Sequence, residues 1–157
     1  MGASTHKRIE AVRGWLSQGV LPLCLCLLML QGFPMSPALA EEVVVIVNRE
    51  NTNRVDRDYV IKIYTGALKG WPDGSSVLAL DQKAESDVRN SFYSSVIGKS
   101  PANMHAIWSQ NIFTGKGLPP KVAPTDAEMK RSISANKNAI GYIRASQVDG
   151  SIRVIDR

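Results

Sequence analysis

Residues 43 to 47, Val-Val-Val-Ile-Val, form an unbroken β-branched run. A run without polar alternation suits a strand covered on both faces, as in a sheet flanked by helices. Asn48 ends it, and Arg49–Asn53 is polar turn material. Val60, Ile63, Tyr64 and Leu68 then recur at helical spacing, predicting a first helix that stops near Gly66 or Gly70. Trp71-Pro72-Asp73-Gly74 carries turn chemistry, and Val77–Leu80 reads as a second short buried strand closed by Asp81.

A second helix is expected from Ser86, turning Val88, Phe92, Val96 and Ile97 inward and stopping at Gly98. Ser100-Pro101 supplies an N-cap and a first helical residue for a third helix with Met104, Ile107 and Trp108. Thr114–Pro120 is loop. Thr125-Asp126-Ala127-Glu128 fits a capping box for a fourth helix bearing Met129 and Ile133, ended by Asn136–Asn138. Ala139–Ile143 and Ile152–Ile155 close the chain as strands. Strands alternating with helices imply one α/β sandwich around a mixed sheet of three to five strands.

The first 40 residues change this picture. Lys7, Arg8 and Arg13 form a basic leader, Val20–Leu30 is mostly apolar, and Ala38-Leu39-Ala40 is a small-residue cleavage site before Glu41. A membrane-spanning helix needs about 20 apolar residues, more than this segment offers between Pro22 and Pro34. The segment therefore reads as an export signal, leaving residues 41–157 as the domain, periplasmic or secreted, with no stable membrane anchor after cleavage. Both cysteines, Cys24 and Cys26, fall inside the signal, so the exported domain has neither disulfides nor thiolate chemistry. It keeps 16 basic and 13 acidic residues, a net charge of +3. That mild excess, without basic runs interleaved with aromatics, excludes a nucleic-acid groove as the expectation.

The order of motifs resembles the phosphate-binding proteins of bacterial phosphate ABC transporters. Ile63-Tyr64-Thr65-Gly66-Ala67-Leu68-Lys69-Gly70-Trp71 is similar to that family's Ile-Phe-x-Gly-Lys-x-x-x-Trp element, and Asn138–Ile143 to its Pro-Gly-Ala-Ile-Gly-Tyr segment. The resemblance implies a single periplasmic-binding-protein-like lobe, a mixed β-sheet flanked by helices, about half the length of the two-lobed family members. It implies a non-enzymatic solute-binding role toward phosphate or a similar oxyanion, linked to phosphate uptake or sensing, with an ABC permease or envelope protein as partner. The family's Arg-x-x-x-Ser-Gly-Thr anion loop falls on Asp81–Val88, where Ser86 carries over while Asp81, Asp87 and Val88 replace Arg, Gly and Thr.

From the residues themselves, the best binding candidate is Lys83–Arg89, because a helix start presents unpaired N–H groups to an anion. Ser86 would cap it. Arg89 stands three residues later, where a cation meets the helix dipole unfavourably unless an anion, Asp87 or Glu85 offsets it. Asn51 and Thr52, after the first strand, would line the same cleft if ligands gather beyond strand carboxyl ends, although both are ordinary turn residues. Trp71 and Trp108 read as core rather than as stacking platforms. Thr65-Gly66 and Thr114–Gly117 lack nucleotide-loop spacing. His105 has no sequence-evident nucleophile partner, and carboxylate pairs such as Asp81 with Asp87 are commonplace, so no catalysis, metal or cofactor is expected. The contrasting expectation is an interaction module that kept the lobe and lost the ligand, pairing with an envelope protein or a second copy as a homodimer.

Overall fold

The computed structural model describes residues 42–155, so the expected export signal and cleavage site lie outside the described residues. Strand β1 spans Val43–Asn48, helix α1 Arg57–Tyr64, β2 Leu78–Asp81, α2 Asp87–Phe92, α3 Pro101–Phe113, β3 Lys121–Val122, α4 Asp126–Ala135, β4 Ala139–Arg144 and β5 Ile152–Val154. The five strands form one mixed sheet in the order β3-β2-β4-β1-β5. β2 runs parallel to β4 and to β3, whereas β1 is antiparallel to both β4 and β5.

The unbroken apolar run of β1 is explained by cover on both faces. Val43, Val45 and Val47 join Val60, Tyr64, Phe92, Met104 and Tyr142 in one core, whereas Ile46 joins Met129, Ile133 and Ile143 in the other. Helices α1 to α3 thus pack on one face and α4 on the opposite one. Gly141 on β4 lets α4 approach: a Cβ there would meet Met129 Sδ and lie 3.3 Å from Ile133 Cδ1.

Local signals set the helix ends. Asp56 accepts the Tyr59 N–H at 2.8 Å, Ser100 caps α3 ahead of Pro101, and Thr125 accepts the Glu128 N–H at 3.2 Å. The helix expected from Ser86 to Gly98 is present, but its second half, Tyr93–Ile97, widens into a π-turn. Gly98 ends it in the left-handed region, at φ 71°, where glycine carries no Cβ penalty. The two-residue strand β3 follows directly on the expected Thr114–Pro120 loop: Lys121 and Val122 pair with Leu80 and Asp81.

Candidate functional site

The C-terminal end of β2 delivers Asp81 into the space between β4 and α2. Its carboxylate is 8% exposed and is surrounded by donors. Oδ1 accepts from the Tyr142 hydroxyl and, at 2.8 Å, from the Gln82 N–H; Oδ2 accepts from the Tyr93 hydroxyl at 2.6 Å and from Arg89 Nε at 3.0 Å. A buried carboxylate is tolerated where its lone pairs are filled and a cation is close, and Asp81 meets both conditions. The Arg89 guanidinium carbon lies 4.6 Å from the centre of the Tyr93 ring, adding a cation–π contact.

Burial and the neighbouring Asp81 carboxylate together raise the Tyr142 and Tyr93 hydroxyls well above the usual phenol range, keeping both protonated as donors. Tyr64, whose hydroxyl donates to the Leu80 carbonyl at 2.9 Å, is raised by the same two causes. Beneath them the Phe92 and Tyr142 rings stack at 3.8 Å with 6° between their planes.

A second polar chain adjoins the first through Gln82. Its Nε2 donates to Asp126 Oδ1 at 2.6 Å, its Oε1 accepts from the Ser86 hydroxyl at 2.7 Å, and Arg144 pairs with Asp126 at 2.8 Å. Ser86 is the N-cap of α2, accepting the Arg89 N–H at 3.4 Å. Arg89 is therefore offset by Asp81, eight residues upstream, rather than by Asp87 or Glu85. Lys83 is exposed and gives only its carbonyl, at 3.0 Å, to the Ser86 N–H. Asp87 is exposed in the first turn of α2. Ser86 and Arg89 adjoin at the start of α2, and Lys83 and Asp87 lie exposed in the same segment.

Asn51 and Thr52 do not join that cluster, which corrects the expectation of a shared cleft. Because β1 runs antiparallel to β4 while β2 runs parallel to it, β1 and β2 finish at opposite ends of the sheet along the strand direction. There the Asn51 side chain donates to the Lys137 carbonyl at 3.0 Å and accepts the Asn53 N–H at 2.9 Å, a buried turn device. Thr52 is exposed. Trp71 is buried and Trp108 half-buried, each giving its indole N–H to a backbone carbonyl, at 3.0 and 3.1 Å, as core residues do. His105 lies exposed on α3.

The sequence marks Asp81 as a strand stop, as the replacement for the family's loop Arg and as half of a commonplace carboxylate pair, and it does not single out Gln82, Tyr93, Tyr142 or Asp126 as its partners. The available signal was a carboxylate directly after the apolar stretch Val77–Leu80, a position that burial would force to find donors.

No family model matches the chain, and no curated protein sequence matches it. Solved structures do. An ABC-type phosphate transport receptor from Vibrio cholerae superposes with a TM-score of 0.57 at 22% identity, over 73% of this chain and 45% of that one. A Clostridium perfringens protein, described as a phosphate ABC transporter substrate-binding protein with bound phosphate, gives a TM-score of 0.60 at 19% identity, covering 73% and 44%. PstS from Borrelia burgdorferi gives 0.56 at 14% identity, covering 73% and 46%. The chain thus has a periplasmic-binding-protein-like lobe fold. It resembles the phosphate-transporter substrate-binding proteins in fold, and it spans less than half the length of those neighbours.

Proposed function

We propose that this protein is an exported, single-lobe solute-binding protein related to phosphate ABC transport, taking phosphate or another small oxyanion at Arg89. The observation that supports this is the guanidinium itself. Arg89 is anchored to Asp81 through Nε and also engages the Tyr93 side chain, and its remaining Nη–H donors carry no other hydrogen bond among the described residues. Those donors form a planar fork suited to an oxyanion, held rigidly beside the start of α2 and beyond the carboxyl end of β2, where α/β sheets gather ligands. Ser86 and Lys83 flank the fork, and the phosphate bound by the Clostridium perfringens fold neighbour accords with the ligand class.

Affinity is expected to be weak. Asp81, Glu85 and Asp87 face Lys83 and Arg89 within one nine-residue segment, leaving it one negative charge in excess. A single lobe also buries less of a ligand than a two-lobed clamp, leaving more water to compete for it. The arrangement offers no activated nucleophile, and the reading is non-enzymatic.

One observation favours a second reading. Asp81 already offsets the Arg89 charge, which suits a lobe kept as an envelope interaction module without a ligand. Calorimetric titration with phosphate and then sulfate at low salt separates the two. The binding reading expects saturable heat that Arg89→Gln abolishes and that Asp81→Asn strengthens about tenfold by unmasking the guanidinium, a modest fraction of the several kcal/mol that a charge pair is worth at partial burial. Flat titrations of all three proteins, with cooperative unfolding intact, would reject it in favour of the module.

A further inference from the structure

We infer that the tip formed by the end of α3, the 114–120 loop and edge strand β3 is a docking surface for an anionic lipid bilayer. Large exposed apolar side chains are rare in the described residues, and four of the five lie within eleven positions: Ile112, Phe113, Leu118 and Val122. Phe113 is 92% exposed and Leu118 79%, so these side chains protrude and no neighbour covers them. Exposed apolar side chains gathered in one short stretch of chain point to an interaction site.

The segment that forms the tip carries charges of one sign. From Val88 to Thr125 the chain has no Asp or Glu, while Lys116 and Lys121 fall beside the apolar residues. Lys69 joins them from the segment that follows α1: its ammonium donates to the Lys116 carbonyl and lies 3.3 Å from where a Cβ on Gly117 would stand. Lys69, Leu118 and Lys121 border a single groove of about 450 Å³. All three lysines are exposed, and none forms an ion pair among the described residues.

Charge complementarity selects the occupant. A second copy presenting the same patch would set lysines against lysines, which disfavours a two-fold pairing through this surface. An exposed aromatic and an exposed leucine, with three lysines in the same tip, match the boundary of anionic headgroups and acyl chains, where apolar tips insert and lysines stay at the phosphates. The inference is independent of the oxyanion reading, since Arg89 takes no part in it.

The test is sedimentation of the full protein with vesicles of phosphatidylglycerol mixed with phosphatidylcholine, against phosphatidylcholine alone. Binding is expected to the anionic vesicles only and to vanish near 1 M salt, where the screening length is about 3 Å. The pair Phe113→Ser with Leu118→Ser should weaken it about tenfold or more. Lys69→Gln, Lys116→Gln and Lys121→Gln together should weaken it by about two orders of magnitude. A local readout separates this tip from any contribution of residues 1–41: in Phe113→Trp, the added fluorescence should shift to the blue with anionic vesicles. Binding unaffected by either set of substitutions, or no shift at residue 113, would overturn the inference, and a patch silent toward lipid would instead belong to an acidic protein partner.

Discussion

Arg89 gives its Nε–H to Asp81 at 3.0 Å, across the turn that joins β2 to α2, and so a cation at the start of a helix is balanced by a carboxylate from a strand. The pair is also an anchor, because two tyrosine hydroxyls and the Gln82 N–H complete the coordination of the same carboxylate. Its energetic weight lies in what would be orphaned if one member were lost.

Replacing Asp81 with Asn exchanges one acceptor oxygen for a donor amide, so either the Tyr142 and Gln82 side or the Tyr93 and Arg89 side loses its acceptor. A cost of about 2–4 kcal/mol is expected, and Asp81→Ala should exceed it by leaving a cavity as well. The partly exposed guanidinium keeps these values below the full penalty of a buried broken pair. Urea denaturation of the two variants against the parent measures both.

Alkaline pH should destabilise the protein more steeply than its surface charge suggests. Tyr64, Tyr93 and Tyr142 are raised above the ordinary phenol value by burial first and by the Asp81 carboxylate second. In the unfolded chain each ionises near pH 10, whereas in the folded state each stays neutral. The stability they confer is complete below about pH 10 and is lost as pH rises above it, by roughly 1.4 kcal/mol per pH unit per tyrosine. Denaturation midpoints measured from neutral to strongly alkaline pH test this, and Tyr93→Phe should shallow the slope by one tyrosine's share while costing Asp81 a donor.

Gly141→Ala should destabilise the fold by about 1–3 kcal/mol, since the new methyl group meets Met129 and Ile133 on the underside of α4. In a Met129→Ala background the same substitution should cost less than about 1 kcal/mol, because the colliding thioether is gone. A double-mutant cycle by chemical denaturation reads the coupling directly, and additive effects would refute the close approach.

Which parts of this protein are legible in its sequence follows from the range of the interaction concerned. The uninterrupted Val43–Val47 run announces a strand buried on two sides, Ser100-Pro101 and Thr125 announce helix starts, and Gly98 a helix stop, because each is a choice made within one turn of the chain. The α/β class, strands alternating with helices, could be read from those local periods. Strand direction could not: β1 meets β4 through partners nearly a hundred residues away, from Val43 with Arg144 to Val47 with Ile140, and that antiparallel pairing separates Asn51 and Thr52 from Ser86 and Arg89. The same holds for Asp81, whose acceptance of the Tyr142 hydroxyl spans 61 residues. A carboxylate followed by a polar loop looks like the end of a strand, and it becomes the hub of a buried network only when the sheet places β4 and the two tyrosines around it. Long-range pairing therefore governs the site, because burial creates the demand for donors and the topology alone determines which residues answer it.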